Sequence, residues 1–203
     1  ISDAGLIGGG RIPMPGEVSM AHNGVLFLDE LPEFKRNVLE VLRQPLEDGE
    51  VHISRATGST TYPTRFMLVA AMNPCRCGGA PSAVAACRRG ANCAAKYQAK
   101  LSGPFLDRID LYFDVQPVSA KDLTLPPAKE TTADIAARVL AAREIQAARY
   151  AEYESDTNRA LNVDAPPNAL EELVHLDDEG RALLNNAAEK MDLSARAYHR
   201  ILK

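Results

Sequence analysis

The stretch Val25–Glu30, with the sequence VLFLDE, decides the fold class of this chain. Four consecutive apolar residues predict a short strand that is covered on both faces, as the strands of a parallel sheet are. The next segment has the apolar stripe of a helix, which we expect to run from Leu31 to about Gln44. Pro45 and Gly49 are expected to end that helix. A buried strand followed directly by a helix is typical of an α/β fold.

Further segments before residue 116 have strand and helix patterns. Glu50–Tyr62 alternates around the turn-forming residues 56–59, which predicts a β-hairpin. Phe66–Met72 predicts a second buried strand, which an Asn-Pro pair ends, and Leu111–Val115 predicts a third. A short helix is expected between them, over about residues 96–107.

After Val115 the strand patterns end, and a proline-containing linker and helical patterns follow. Three prolines mark Gln116–Glu130 as a linker. Thr131 and Asp134 then form a capping box that opens a long helix to about Tyr153. Further helices are expected over residues 168–174, 177–190 and 194–203. We therefore expect an α/β core over residues 1–115, a linker over 116–130 and an all-α domain over 131–203.

The composition is typical of soluble globular proteins. The 203 residues are 46% hydrophobic and 25% charged, which suits one large domain or two small ones. A net charge of -4 excludes a globally basic nucleic-acid coat but not a local basic patch. The longest apolar run, Phe66–Met72, has seven residues, far fewer than the ~20 that a membrane-spanning helix needs. No membrane partner is expected.

Asp29 and Glu30 directly follow the first predicted strand. Ligands of α/β proteins bind at the carboxyl ends of parallel strands, so both carboxylates are expected at such an edge. One carboxylate can hold a hydrated magnesium ion, and the other can polarise a water that attacks a phosphate. This pattern is typical of nucleotide hydrolases. The alternative is that two solvated acids end a strand.

Two other polar residues occupy comparable positions. Asn73 ends the second predicted strand, where an amide can orient a water or a phosphate oxygen, although Asn-Pro is also a common turn. Arg108 lies between a short helix and the third predicted strand, and its planar charge suits phosphate oxygens. The alternative for Arg108 is an ion-pair cluster with Asp107 and Asp110.

Together these segments resemble the AAA+ ATPases. Val25–Glu30 is similar to their Walker B motif, Ala71–Pro74 to the first sensor, and Leu106–Asp110 to the arginine-finger segment. Ser194–Leu202 resembles the second sensor of the helical lid. The sequences GEVSMAHNGVLFLDELPEFKRNVLEVLRQPLEDG, RFMLVAAMNPC and LSGPFLDRIDL resemble the magnesium-chelatase-like ComM (YifB) group of bacterial AAA+ proteins. The similar segments run through essentially the whole chain.

The resemblance implies a partial AAA+ parallel-sheet core followed by an all-α lid, with ATP and magnesium as cofactors. It implies that Asp29 binds Mg-ATP and that Glu30 activates the hydrolytic water. Asn73 would position that water or sense the γ-phosphate. Arg108 would reach the ATP of a neighbouring subunit, and Arg196 would couple the lid to the nucleotide state.

The resemblance also implies a cytoplasmic hexameric ring that uses ATP hydrolysis to move on DNA, as in branch migration. Hairpins such as Glu50–Tyr62 face the pore of ring helicases, which makes His52, Arg55 and Arg65 candidate contacts to DNA phosphates. The alternative for these three is a solvated hairpin face. Two other functions stay open: an ATPase that remodels a protein partner, as the chelatase motor subunit does, and a non-enzymatic zinc-holding scaffold.

The sequence contains no phosphate-binding loop. Its Gly-rich segment, Gly5–Gly16, lacks the Lys and the Ser or Thr of G-x-x-x-x-G-K-[ST]. The resemblance places that loop and its strand before Ile1. We therefore expect a fragment with an incomplete sheet and a truncated lid, unable to hydrolyse ATP alone.

All four cysteines, Cys75, Cys77, Cys87 and Cys93, lie within nineteen residues. Such clustering is unlike a secreted disulfide framework and favours a reducing cytoplasm. Four thiolates are enough for a tetrahedral zinc site, although the spacing between Cys87 and Cys93 is wider than usual. Free buried thiols and redox disulfides are the alternatives. Members of the ComM group tend to have a cysteine cluster at this place.

Overall fold

The computed structural model of the chain describes residues 2–56, 58–77, 92–116, 118, 122–126, 129–151, 161–165 and 167–203. The chain divides into two compact units, Ile1–Pro117 and Val118–Lys203. All of the described strands lie in the first unit, and the regular structure described in the second unit is helical.

The first unit combines six short strands and six α-helices among its described residues. The strands are β1 Gly8–Gly9, β2 Met14–Pro15, β3 Val25–Leu28, β4 Glu50–Arg55, β5 Gly58–Pro63 and β6 Met67–Ala70. The helices are α1 Asp3–Ile7, α2 Glu17–Met20, α3 Arg36–Glu40, α4 Arg43–Asp48, α5 Cys93–Gln98 and α6 Gly103–Leu106, with a 3-10 turn at Leu31–Glu33. The predicted α/β class is confirmed.

Strands β3 and β6 form a parallel pair. Val25 pairs with Met67, and Leu28 pairs with Ala70. Between them the chain forms the antiparallel hairpin of β4 and β5, which confirms the hairpin prediction. The α/β fold with a parallel sheet that was predicted from the apolar runs is therefore present.

The core of the first unit lies on one face of this pair. Leu26 and Leu28 are buried there, as alternate residues of a strand with one covered face. Phe105 of α6 is fully buried against the same cluster, and burial of such a side chain contributes about 1.5–3 kcal/mol. The other buried members are Leu6, Val18, Leu31, Val38, Leu39, Leu42, Val51 and Leu101.

The opposite face of the parallel pair is open, which corrects the prediction that both faces are buried. Val25, Phe27 and Met67 each expose more than half of their surface. Among the described residues the pair is a two-stranded sheet, and its core lies on a single face. A run of apolar residues thus predicts the strands but not the number of layers that cover them.

The single helix predicted after β3 is interrupted. The chain forms the 3-10 turn at Leu31–Glu33, and a turn at residues 41–42 separates α3 from α4. Pro45 does not end a helix. It lies in the first turn of α4, where an N–H has no intrahelical partner to lose. Gly49 does end α4, with a φ of 69° that favours glycine.

Two predictions near the end of the first unit are wrong. The side chain of Ser102 accepts a 3.2 Å hydrogen bond from the N–H of Phe105 and begins α6, so residues 96–107 do not form one helix. Leu111–Val115 is largely exposed and is neither helix nor strand. A strand needs a neighbour to pair with, and in the described structure none lies beside this segment.

The second unit contains the four α-helices that the sequence predicts, among its described residues. They are α7 Thr132–Tyr150, α8 Pro167–Leu173, α9 Asp178–Met191 and α10 Ala195–Leu202. A small core around Tyr150 and Leu170 holds part of the unit together. Throughout the described residues, no helix combines the length and the apolarity that crossing a bilayer requires.

The predicted capping box at the start of α7 is confirmed. The backbone N–H of Asp134 donates to Thr131 Oγ1 at 3.3 Å, and the backbone N–H of Thr131 donates to the Asp134 carboxylate at 2.8 Å. Hydrogen bonds from Thr131, first from its side chain and then from its backbone, lower the pKa of Asp134. The box fixes the first turn of the longest helix.

Candidate functional site

The candidate site lies at the carboxyl edge of the parallel pair. Asp29 and Glu30 directly follow β3, and Asn73 lies three residues beyond the end of β6. Because Leu28 pairs with Ala70, the structure brings these three residues to one edge. All three are exposed, so a ligand can approach them from solvent. Ligands of α/β folds bind at such an edge.

The turn that carries Glu30 has an unusual backbone. Glu30 is left-handed, with a φ of 51° and a ψ of 44°, a conformation that costs a non-glycine residue roughly 1–2 kcal/mol. Its N–H donates a 2.7 Å hydrogen bond to Oδ1 of Asp29. The N–H of Leu31 donates a 3.0 Å hydrogen bond to the carbonyl of Ala71. Strained backbone of this kind persists where surrounding contacts hold it, and it is concentrated at functional sites.

The groups at this edge suit phosphate hydrolysis. The carboxylate of Asp29 and the amide oxygen of Asn73 are ligand types that hydrated magnesium accepts. The carboxylate of Glu30 is a candidate to take a proton from an attacking water. The edge therefore carries candidate groups for binding magnesium and activating a water. The phosphate-binding motif G-x-x-x-x-G-K-[ST] does not occur in the sequence.

Arg108 is buried within the first unit. Its side chain is 5% exposed, and Nη2 lies 2.6 Å from Oε2 of Glu47. Nη1 donates to the carbonyl of Pro104, whereas the buried Nε has no hydrogen-bond partner in the described part of the chain. A buried donor without a partner costs about 1–3 kcal/mol. The guanidinium is therefore held by an ion pair with Glu47, a residue that the sequence did not single out.

Arg108 also lines an open cleft of about 640 Å³. Glu47 lies in the same wall, and so do His52 and Arg55 of the hairpin. The structure thus brings two of the three candidate DNA contacts to the arginine. The other charged residues of the lining are Asp3, Glu40, Arg43 and Asp48. The cleft carries both signs of charge and is not a uniformly basic surface.

The three candidate DNA contacts are all exposed. The ring of His52 lies 2.7 Å from Oγ1 of Thr61 and 3.2 Å from a carboxylate oxygen of Glu50. Arg55 ends β4, and Arg65 lies two residues beyond the end of β5. Arg55 is therefore a surface cation beside the hairpin turn, and Arg65 is one beside the hairpin base. His52 lies next to the carboxylate of Glu50.

Three cysteines come together in the structure. The Sγ atoms of Cys75, Cys77 and Cys93 all lie within 4.8 Å of one another, with 3.8 Å between those of Cys77 and Cys93. Cys75 is buried, and Cys77 is exposed. Cys87, the fourth predicted ligand, lies outside the described residues. Thiol groups at this spacing fit the sulfur ligands of a structural zinc ion.

Helix α5 begins at one of these cysteines and contacts both strand ends. Lys100, two residues after the helix, donates a 2.8 Å hydrogen bond from Nζ to the carbonyl of Pro32. Gln98 donates a 3.3 Å hydrogen bond from Nε2 to the carbonyl of Pro74. Pro32 follows the Asp29–Glu30 pair, and Pro74 follows Asn73. The α5 segment thus joins the two halves of the candidate site.

Tyr97 packs inside this segment. Its ring is buried, and Nζ of Lys100 lies 5.2 Å from the ring centroid. Burial raises the pKa of Tyr97, and the negative charges of Glu33 and Glu30 raise it further. Neither Tyr97 nor Lys100 was identified from the sequence, because their contacts join segments that are far apart along the chain.

Arg196 belongs to the second unit. It is exposed in the first turn of α10, whose N-cap is Ser194. The side chain of Ser194 accepts a 3.2 Å hydrogen bond from the N–H of Ala197. The helix on which the second-sensor resemblance depends is therefore formed.

Comparison with known proteins identifies the family. A family model described as magnesium chelatase, subunit ChlI, matches residues 1–123. The chain belongs to this family. A second model, described as the C-terminal part of subunit ChlI, matches residues 129–203 of this ChlI-family chain. The resemblance to magnesium-chelatase-like proteins is thus confirmed, and with it membership of an AAA+-type family.

Individual relatives of this ChlI-family chain cover nearly all of it. Competence protein ComM of Haemophilus influenzae is 46% identical over 199 residues, which are 98% of this chain and 37% of that protein. Uncharacterized protein YifB of Escherichia coli is 42% identical over 200 residues, with the same two coverages. Its Salmonella typhimurium counterpart is 39% identical over 199 residues. The chain spans 37% of the length of these relatives.

Proposed function

We propose that this chain is part of an AAA+ motor that hydrolyses ATP. The observation that carries the proposal is the placement of Asp29, Glu30 and Asn73 at one edge of the parallel pair. Asp29 holds the magnesium ion of Mg-ATP, Glu30 takes a proton from the attacking water, and Asn73 orients that water or the γ-phosphate. Bound magnesium supplies positive charge that stabilises the phosphate oxygens.

The proposed motor works as a ring, hexameric as the resemblance implies. Arg108 of one subunit acts on the ATP of the next, and Arg196 couples the lid to the nucleotide. The phosphate-binding loop comes from sequence outside this chain. The proposed division is a core over residues 1–115, a linker over 116–130 and a lid over 131–203, and the proposed compartment is the cytoplasm.

We further propose that the ring moves on DNA, as in branch migration. The name of the Haemophilus relative, a competence protein, supports a role with incoming DNA. Arg55 and Arg65 are exposed cations beside a hairpin of six paired residues in each strand, and His52 projects from the same hairpin. Such side chains can follow phosphates without reading a base sequence.

ATP hydrolysis with and without DNA tests this proposal. The protein, extended to the length of its relatives, is expected to hydrolyse ATP faster with single-stranded or branched DNA. In the double variant Arg55→Ala/Arg65→Ala the slope of DNA binding against log salt is expected to fall by about 1 per lost phosphate contact. The double variant Lys35→Ala/Arg36→Ala removes the same charge elsewhere and should leave the slope unchanged. An equal rate of ATP hydrolysis with and without DNA would contradict the proposal that the ring moves on DNA.

A second candidate function is the remodelling of a protein partner. The description of the matching family, a magnesium chelatase subunit, favours it. In that case the rate of ATP hydrolysis does not change when DNA is added, and it rises when a partner subunit is added. The same assay therefore separates the two candidates.

We also propose that the cysteine cluster holds a structural zinc ion. The Sγ atoms of Cys75, Cys77 and Cys93 lie within 4.8 Å of one another, and Cys87 is the proposed fourth ligand. Zinc would supply a cross-link between the segment after Asn73 and the start of α5.

Elemental analysis of purified protein is expected to find about one zinc ion per chain, as a closed four-ligand site requires. Cys77→Ser, which removes an exposed ligand, should lower the zinc content and the temperature of unfolding together, because metal binding contributes to folding. Purified protein that contains no metal and has four freely titratable thiols would contradict the proposed zinc site.

A further inference from the structure

We infer that Lys100 is a positioning residue that holds the catalytic turn of the proposed ATP site. The inference rests on the proposed ATPase function. Lys100 touches neither Asp29 nor Glu30. Its ammonium binds the carbonyl of Pro32, two residues beyond Glu30, and it also lies 3.4 Å from a carboxylate oxygen of Glu33.

The turn needs such support because its backbone is strained. Glu30 is left-handed, and a non-glycine residue keeps that conformation only when its flanks are fixed. On the β6 side, the N–H of Leu31 is bound to the carbonyl of Ala71. On the α5 side, Lys100 is one of the described contacts that hold the turn. Loss of the Lys100 contact is expected to loosen the position of the Glu30 carboxylate.

Lys100 is well placed to hold a carbonyl. Its Nζ lies over the ring of the buried Tyr97, so the aromatic face restricts where the ammonium can go. Hydrogen bonds from a charged donor are stronger than those between neutral groups. The contact with Pro32 is partly buried, which limits competition from water.

The other end of the same segment reaches the Asn73 strand. Gln98 binds the carbonyl of Pro74, and Cys93 at the start of α5 lies among the thiols that follow Pro74. Lys100 and Gln98 therefore hold the two strand ends against one short helix. The spacing between Glu30 and Asn73 depends on that helix as well as on the sheet.

Lys100→Met tests the inference in the extended protein. The turnover number for ATP is expected to fall by about tenfold to a hundredfold, because a small displacement of a catalytic group has effects of that size. KM is expected to stay within about twofold, since the described polar contacts of Lys100 are with Pro32, Glu33 and Tyr97 and not with Asp29 or Glu30. Lys100→Arg keeps a cationic donor and should restore most of the turnover. Lys96→Met makes the same chemical change at an exposed position of α5 and should have no effect.

Amide hydrogen exchange in the 203-residue chain gives a measurement that needs no ATPase activity. In Lys100→Met the N–H of Leu31 should exchange faster, while the N–H groups paired between β3 and β6 keep their protection. Unchanged exchange at Leu31, or a turnover equal to that of Lys96→Met, overturns the positioning role. Faster exchange at Leu31, together with no ATP hydrolysis by the extended wild-type protein, would instead reject the proposed function and leave the contact itself established.

Discussion

Replacement of Glu30 with glutamine is expected to lower ATP hydrolysis by about 10²–10⁴-fold, the range for loss of a general base. Glutamine has the same size but cannot accept a proton from the attacking water. The hydrogen bond from residue 30 to Asp29 uses the backbone N–H, so it survives the substitution. The side chain is exposed, and the fold should therefore be unaffected.

The measurement is steady-state turnover together with nucleotide affinity in the extended protein. Glu30→Gln should still bind Mg-ATP, since Asp29 and the phosphate contacts are untouched. Glu17→Gln is the matched control, because it makes the same change at an exposed position on α2, away from the edge of β3. Turnover in Glu30→Gln that equals the control would show that another group activates the water.

Replacement of Arg108 with alanine is expected to lower hydrolysis in the assembled ring by about 10³–10⁵-fold, the contribution of an arginine finger. The structure adds a condition to this expectation. Arg108 is paired with Glu47 inside its own unit, so it must leave that ion pair to reach a neighbouring ATP. A phosphate group can compete for it, because the buried Nε is left without a partner among the described residues.

Mixed rings test whether Arg108 acts between subunits. An Arg108→Ala subunit keeps Glu30, and a Glu30→Gln subunit keeps Arg108. Interfaces formed from one of each contain a complete set of groups, so mixing two inactive proteins should restore part of the activity. No recovery in rings that form normally would contradict action between subunits.

A structural role for Arg108 has to be separated from a catalytic one. Breaking a buried ion pair destabilises a protein by about 3–5 kcal/mol when one partner is removed, although Glu47 is one-third exposed and the effect here should be smaller. Glu47→Gln removes the pair but keeps the arginine. We expect this variant to retain hydrolysis, and a loss as large as that in Arg108→Ala would assign both residues to folding alone.

Local patterns were sufficient to predict several elements of this fold. The apolar run at β3, the alternation of the β4–β5 hairpin and the capping box of Thr131 and Asp134 each act within a few residues. The placement of Asp29 and Asn73 at one edge also followed, because each lies beyond the carboxyl end of one of two parallel strands. The prediction that Pro45 ends a helix was wrong because a proline is tolerated in the first turn of a helix.

Contacts between distant segments could not be predicted in this way. The pairing of Arg108 with Glu47 and the contact of Lys100 with Pro32 depend on how helices pack, which no short pattern encodes. The open face at Phe27 likewise depends on which layers surround the sheet. The sequence therefore predicted candidate residues for the chemistry but not the residues that contact them.

The alignment of β3 with β6 sets the geometry of the candidate site. A slip of one residue would move Asp29 by about 3.3 Å along β6 and would exchange the two faces of the strand. Because β3 is apolar at every position, its side chains discriminate only weakly against that error. Backbone hydrogen bonds beyond the strand ends, from Met67 to Gly24 and from Leu31 to Ala71, exclude it. Main-chain hydrogen bonds thus set the alignment of the two strands, to which the α5 contacts add, and substitutions within the apolar run can change stability without shifting that alignment.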